Sequence, residues 1–140
     1  MSVLNQPIEL KIPAKPEYVS IARLIAAAFA GLLGFDSEAV DDIKIAISEA
    51  CTSAIIHLHK QAEDEEKLID VLLYVAANKL LLDIKYSLRE VTPLEKTATQ
   101  LYDRDLGMSV LTSLMDKVEI IKVKGNGVVI RLLKKIPAYG

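Results

Sequence analysis

Residues 36–60 carry one long helical pattern, and its shape limits what the rest of the chain can be. At about 100° per residue, Val40, Ile47, Cys51, Ala54 and Leu58 fall on one stripe, so this helix needs a broad apolar surface to lie on. Asp36 and Ser37 are good N-cap residues, and Glu38, Asp41 and Asp42 gather at the positive end of the helix dipole. The other segments supply the surface. Ile8, Leu10 and Ile12 alternate with Glu9 and Lys11, the period of a half-buried strand, and Pro13 ends it. Residues 69–76 and 80–88 form two more apolar, alternating runs joined by Ala77-Asn78-Lys79, a hairpin connection. Residues 120–124 and 128–133 return as a last pair around Gly125-Asn126-Gly127.

A second helical pattern covers residues 16–33, with Val19, Ala22, Ile25, Ala26, Phe29 and Leu32 at three- and four-residue spacing, Pro16 in its first turn and Gly34 as its stop. Residues 94–102 are weakly helical and polar, and residues 107–115 read as a firmer helix. The acidic run Glu63-Asp64-Glu65-Glu66 reads as a solvated loop. The order is thus strand, helix, helix, strand, strand, helix, strand, strand. It predicts an α+β fold, a two-layer sandwich with the helices on one face of a mixed, mostly antiparallel sheet. A chain of 140 residues fits one such domain, residues 1–140, around one core.

The balance of charges excludes some functions. A net charge of −2 gives no footprint for a phosphate backbone, which predicts no direct nucleic-acid partner. A single cysteine, Cys51, forms no intrachain disulfide, and with two histidines on the same helix it lacks the spacing of a zinc site. No apolar run reaches the roughly 18 residues of a bilayer span, and no basic-then-apolar leader is read. The expectation is a cytoplasmic protein without a membrane partner.

Within the long helix, Glu49 lies opposite the centre of the apolar stripe, and Ser53, one turn on, shares its face with Asp42 and Ile56. Periodicity alone therefore makes Glu49 and Ser53 solvent-facing. The segment Asp42-Ile43-Lys44-Ile45-Ala46-Ile47-Ser48-Glu49-Ala50-Cys51-Thr52-Ser53-Ala54 nevertheless resembles the acidic box of the Bergerat-fold (histidine-kinase-like, GHKL) ATPases. It is most similar to that of the anti-sigma-factor serine kinases, which carry Asn where this chain has Ser53. The resemblance implies the histidine-kinase-like ATPase fold. It makes Glu49 the catalytic base and puts Ser53 at the magnesium and nucleotide position, where a serine hydroxyl is shorter than the amide it replaces. His57 matches a histidine common in that family and is assigned no chemistry here.

The family's second motif, Asp-x-Gly-x-Gly, lets the backbone approach the nucleotide and reads adenine through its aspartate. The corresponding residues are Leu88-Arg89-Glu90-Val91-Thr92, so the nucleotide positions Leu88 and Glu90 have lost the diagnostic chemistry. The phosphate lid corresponds to Arg104-Asp105-Leu106-Gly107-Met108, followed by a helix ending in Leu114-Met115-Asp116. Gly107 survives, while a carboxylate at Asp105 would repel a triphosphate. The resemblance then implies a regulatory protein-binding module, an anti-sigma factor in which nucleotide binding is weak or lost. No cofactor is expected. The implied partners are a sigma factor or an anti-sigma-factor antagonist, with a homodimer as the resting state.

The alternative is an active ATP-dependent anti-sigma-factor serine/threonine kinase. It would use ATP or ADP with magnesium, Glu49 as base, Ser53 as metal ligand, and Asp83 or a main-chain group to read adenine. A third reading is an apolar pocket lined by Leu88, Ile84 and Ile56.

Overall fold

The helical and period-two segments assemble into two layers. The computed structural model describes residues 6–61, 66–88 and 108–138. Strand β1 (Ile8–Pro13) leads through a short 3-10 turn (Pro16–Tyr18) into helix α1 (Val19–Leu32), followed by α2 (Ser37–Gln61). Strands β2 (Leu68–Ala76) and β3 (Lys79–Ser87), helix α3 (Met108–Leu114) and strands β4 (Lys117–Val123) and β5 (Gly127–Lys135) complete the order. The sheet runs β1-β2-β3-β5-β4. Among the described residues all four pairings are antiparallel, in keeping with the mostly antiparallel sheet expected.

Local chemistry sets the boundaries. The Asp36 carboxylate accepts the Ala39 backbone N–H at 2.8 Å, capping α2 as its sequence predicts. Ala77 and Asn78 both have positive φ, 52° and 61°, which gives the tight β2–β3 turn the twist that antiparallel strands need. Gly125 (φ 78°) and Asn126 (φ 63°) do the same between β4 and β5. β4 begins at Lys117, three residues before its predicted start, because Val118 and Glu119 continue the ladder opposite Leu132 and Arg131. The expected helix at residues 94–102 and the acidic run at residues 63–65 lie outside the described residues.

Strict alternation divides the sheet into two faces. Ile69, Val71 and Leu73 on β2, Leu82 and Ile84 on β3, and Ile130 and Leu132 on β5 point toward the helices and are fully buried with Ile43, Ile47 and Leu58 of α2. At about 2 kcal/mol for each large apolar side chain removed from water, this layer dominates the stabilisation of the fold. Asp70, Leu72, Tyr74, Asp83, Lys85, Val129, Arg131 and Leu133 take the opposite register and form the outer face. The two helices are also tied together: Arg23 donates to Ser48 Oγ at 3.2 Å, and Ser48 donates back to the Lys44 carbonyl at 2.8 Å.

Candidate functional site

Helix α2 is the central helix, and this decides where its polar residues go. α1 flanks it on one side, while α3 and strands β3 and β5 cover another. Its buried residues (Ile43, Ala46, Ile47, Ala50, Cys51, Ser53, Ala54, Ile55, His57 and Leu58) therefore occupy more than half of its circumference, far more than a single stripe. The solvent-facing expectation for Ser53 is overturned, since Ser53 is 0% exposed. Glu49 and Asp42 sit at the margin of the buried arc, both half-buried, and Ile56 is half-buried as well. Val40, expected on the stripe, is only half-buried, because it stands in the first turn at the end of the core.

Glu49, Ser53 and His57 follow one another at i, i+4 and i+8, a row along one edge of α2. Among the described residues, Ser53 Oγ has no hydrogen-bond partner. A buried hydroxyl left unsatisfied costs about 1–3 kcal/mol, so the fold gains nothing from an oxygen at this position. One turn further, His57 (2% exposed) shares a hydrogen bond of 2.6 Å between its Nδ1 and the Tyr86 hydroxyl. Tyr86 projects from β3 toward the helices, and the two rings lie 5.9 Å apart with a tilt of 51°. Sequence reasoning missed this pair. The signal was present: Tyr86 is in register with Leu82 and Ile84 on the core face, and His57 is one turn from Ser53.

Beyond β3, Leu88 donates its backbone N–H to the Asn126 carbonyl at 2.8 Å, and its side chain is part of the core. The position at which the resemblance expects an adenine-reading carboxylate therefore holds a buried apolar side chain. Ile84 is likewise a core residue, so of the three residues proposed for an apolar pocket only Ile56 reaches solvent. Glu90, Asp105 and Gly107 lie outside the described residues. Among the described residues no group of three or more His, Cys, Asp or Glu side chains is placed to hold a metal ion.

Asp83 is not part of this site. It points to the other face of the sheet, where Arg131 grips it with Nε at 2.9 Å and Nη2 at 3.0 Å, and the Tyr74 hydroxyl donates at 3.0 Å. The bond to Asp83 pushes the Arg131 pKa up; burial first, and then Asp83, raise that of Tyr74. This arrangement is a structural ion triad, and the role of adenine reader given to Asp83 under the active-kinase alternative is overturned by its orientation. Cys51, wholly inside the core, has its thiol pushed up to about 12 by burial alone.

The architecture and the α2 row define a class. The histidine kinase-like ATPase domain matches residues 12–134, and the chain belongs to that family. Its relatives include the serine-protein kinase RsbW of Listeria monocytogenes serotype 4a (strain HCC23), 35% identical over 92% of this chain and 88% of that protein. RsbW of Bacillus pumilus (strain SAFR-032) is 36% identical over 91% of this chain and 84% of its own length. RsbW of Bacillus thuringiensis (strain Al Hakam) is 37% identical over 86% and 80%. No helix among the described residues is long and apolar enough to cross a membrane.

Proposed function

We propose that this protein is a regulator of the anti-sigma-factor type that acts in the cytoplasm by binding protein partners, with nucleotide binding weak or lost. Ser53 carries this reading. The oxygen at the metal position is fully buried and unpartnered among the described residues, and Leu88 is apolar where adenine recognition needs an acceptor. Magnesium asks for several oxygen ligands in near-octahedral array. Phosphate and water oxygens fill most of that array in a nucleotide complex, so the reading rests on Ser53 being shorter than the amide it replaces and on the apolar Leu88, and no phosphoryl-transfer step is derived through a bound nucleotide.

Partner binding has its own support. Ile21, Leu24 and Leu32 stand on one side of α1 at 41%, 65% and 70% exposure, a row of large apolar side chains that a solitary helix face does not need. The partners implied by the resemblance are a sigma factor or its antagonist protein, and a homodimer is the proposed resting state.

The identity of the relatives favours a second reading, an active serine-protein kinase with Glu49 as base and ATP and magnesium as cofactors. Thermal melting with and without magnesium-ATP separates the two. A ligand at 100 times its Kd stabilises a fold by about 2.7 kcal/mol, a rise of several degrees for a domain of this size. The expected result is no rise. A clear rise together with transfer of radiolabelled phosphate to an antagonist protein would establish the kinase, whereas loss of partner co-elution would remove the regulator.

A further inference from the structure

A cleft of about 460 Å³ opens at one end of the sheet, where the start of β2, the end of β3 and the β4–β5 hairpin meet. That volume suits a small molecule. In the register of the sheet, Asp70, Lys85 and Val129 form one row across its outer face, while Leu58 of α2, Tyr86 and Val128 line the cleft from the helix side, so it wraps the end of the sheet; Glu49 and Ser53 are not among its lining residues. Lys67, Lys85 and Lys124 line it, and Asp70 is the one carboxylate among its described lining residues. Asp70 is already engaged: Lys11 Nζ lies 2.8 and 3.0 Å from its two oxygens. By contrast, Lys85 and Lys124 have no ion-pair partner among the described residues. Among the described residues the cleft therefore presents two lysines, Lys85 and Lys124, that no lining carboxylate pairs.

Its lips are apolar. Leu68 and Val123 are 59% and 48% exposed, two of the large hydrophobic side chains that the fold leaves in water, and both border the cleft with Val129 beneath them. Ammonium groups beside exposed aliphatic side chains define a ligand with two parts. We infer that this cleft binds a small organic anion, a phosphate or carboxylate group joined to a compact apolar body, held by Lys85 and Lys124 on one side and by Leu68 and Val123 on the other. The inference does not rest on the use made of Glu49 or Ser53, neither of which lines the cleft.

Amide chemical shifts of the full chain, titrated with naphthyl phosphate, naphthoate and neutral naphthol, test it. The expected result is saturable binding of both anions, with shifts centred on Leu68, Ser87, Val123 and Val129, and naphthol weaker by about tenfold. A Lys85→Gln/Lys124→Gln double variant, whose folding its own amide spectrum reports, loses about tenfold in anion affinity, while Lys15→Gln loses nothing. Lys85→Ala/Lys124→Ala gives a second route should the first variant misfold. Shifts centred on Glu49 and Ser53, a response that never saturates, or equal binding by naphthol and by the double variant would each overturn the assignment.

Discussion

Asp83 and Ser53 are both buried polar residues, one on the outer face of the sheet and one on α2, and they are treated in opposite ways. Asp83 receives two hydrogen bonds from Arg131 and one from Tyr74. Ser53, at the α2–sheet boundary, receives none among the described residues. A buried charge that is fully partnered belongs to the architecture, since removing any partner exposes the whole desolvation cost. A buried hydroxyl that is unpartnered is not required by the architecture. Ser53 stands where the resemblance expects a metal ligand, so its isolation marks the place where ancestry and stability disagree.

The contrast can be broken most forcefully at Arg131. Arg131→Ala leaves the Asp83 carboxylate buried without its counter-charge, and urea denaturation should show a loss of about 3 kcal/mol. Asp83→Leu/Arg131→Leu should recover most of that loss; a double variant as unstable as the single one would show that packing rather than charge dominates. Tyr86→Phe comes next. Removing the hydroxyl deprives His57 of a 2.6 Å bond, and the expected cost is about 1–2 kcal/mol by the same measurement. Ser53→Ala should lie within about 1 kcal/mol of the parent and on the stabilising side. A large loss there would mean that Ser53 has a partner that its surroundings do not reveal.

Cys51 gives a smaller effect with a definite sign. Its thiol ionises near 9.0 when exposed and near 12 in the fold. The unfolded chain therefore gives up its proton first, and the thiol's contribution to stability is complete below about pH 9 and is lost as the pH climbs toward 12. Cys51→Ala should flatten that part of the alkaline stability curve. In the native protein at neutral pH, iodoacetamide should label Cys51 only as fast as the fold opens.

The elements were legible because their periods were clean. Ile8, Leu10 and Ile12 could only be a half-buried strand, and the Asn78 and Gly125-Asn126 turns announced themselves by residues that tolerate positive φ. The site was harder to read. A stripe calculation treats a helix as resting on one surface, whereas α2 is covered from two directions, and its buried arc widens to take in Ser53 and His57. Nor does alternation say which of two sheet faces a given carboxylate joins until its neighbours are fixed. Asp83 was therefore available as an adenine reader on paper, although its register with Arg131 commits it elsewhere.

The strand order holds a consequence for how the chain assembles. β2 with β3 and β4 with β5 are hairpins closed by two or three residues, whereas β1 finds its place only by pairing with β2 across both long helices, Ile12 opposite Ile69. Closing that long loop demands more chain entropy than any hairpin, so β1 joins a sheet that the hairpins have already begun. The Ala14 amide to the Lys67 carbonyl and His59 Nε2 to the Ala14 carbonyl, each 2.8 Å, act as the latch that holds this late strand. The expected outcome is that the amino-terminal edge opens before the rest of the sheet, with amide hydrogen exchange faster along β1 than along the central strands β2, β3 and β5.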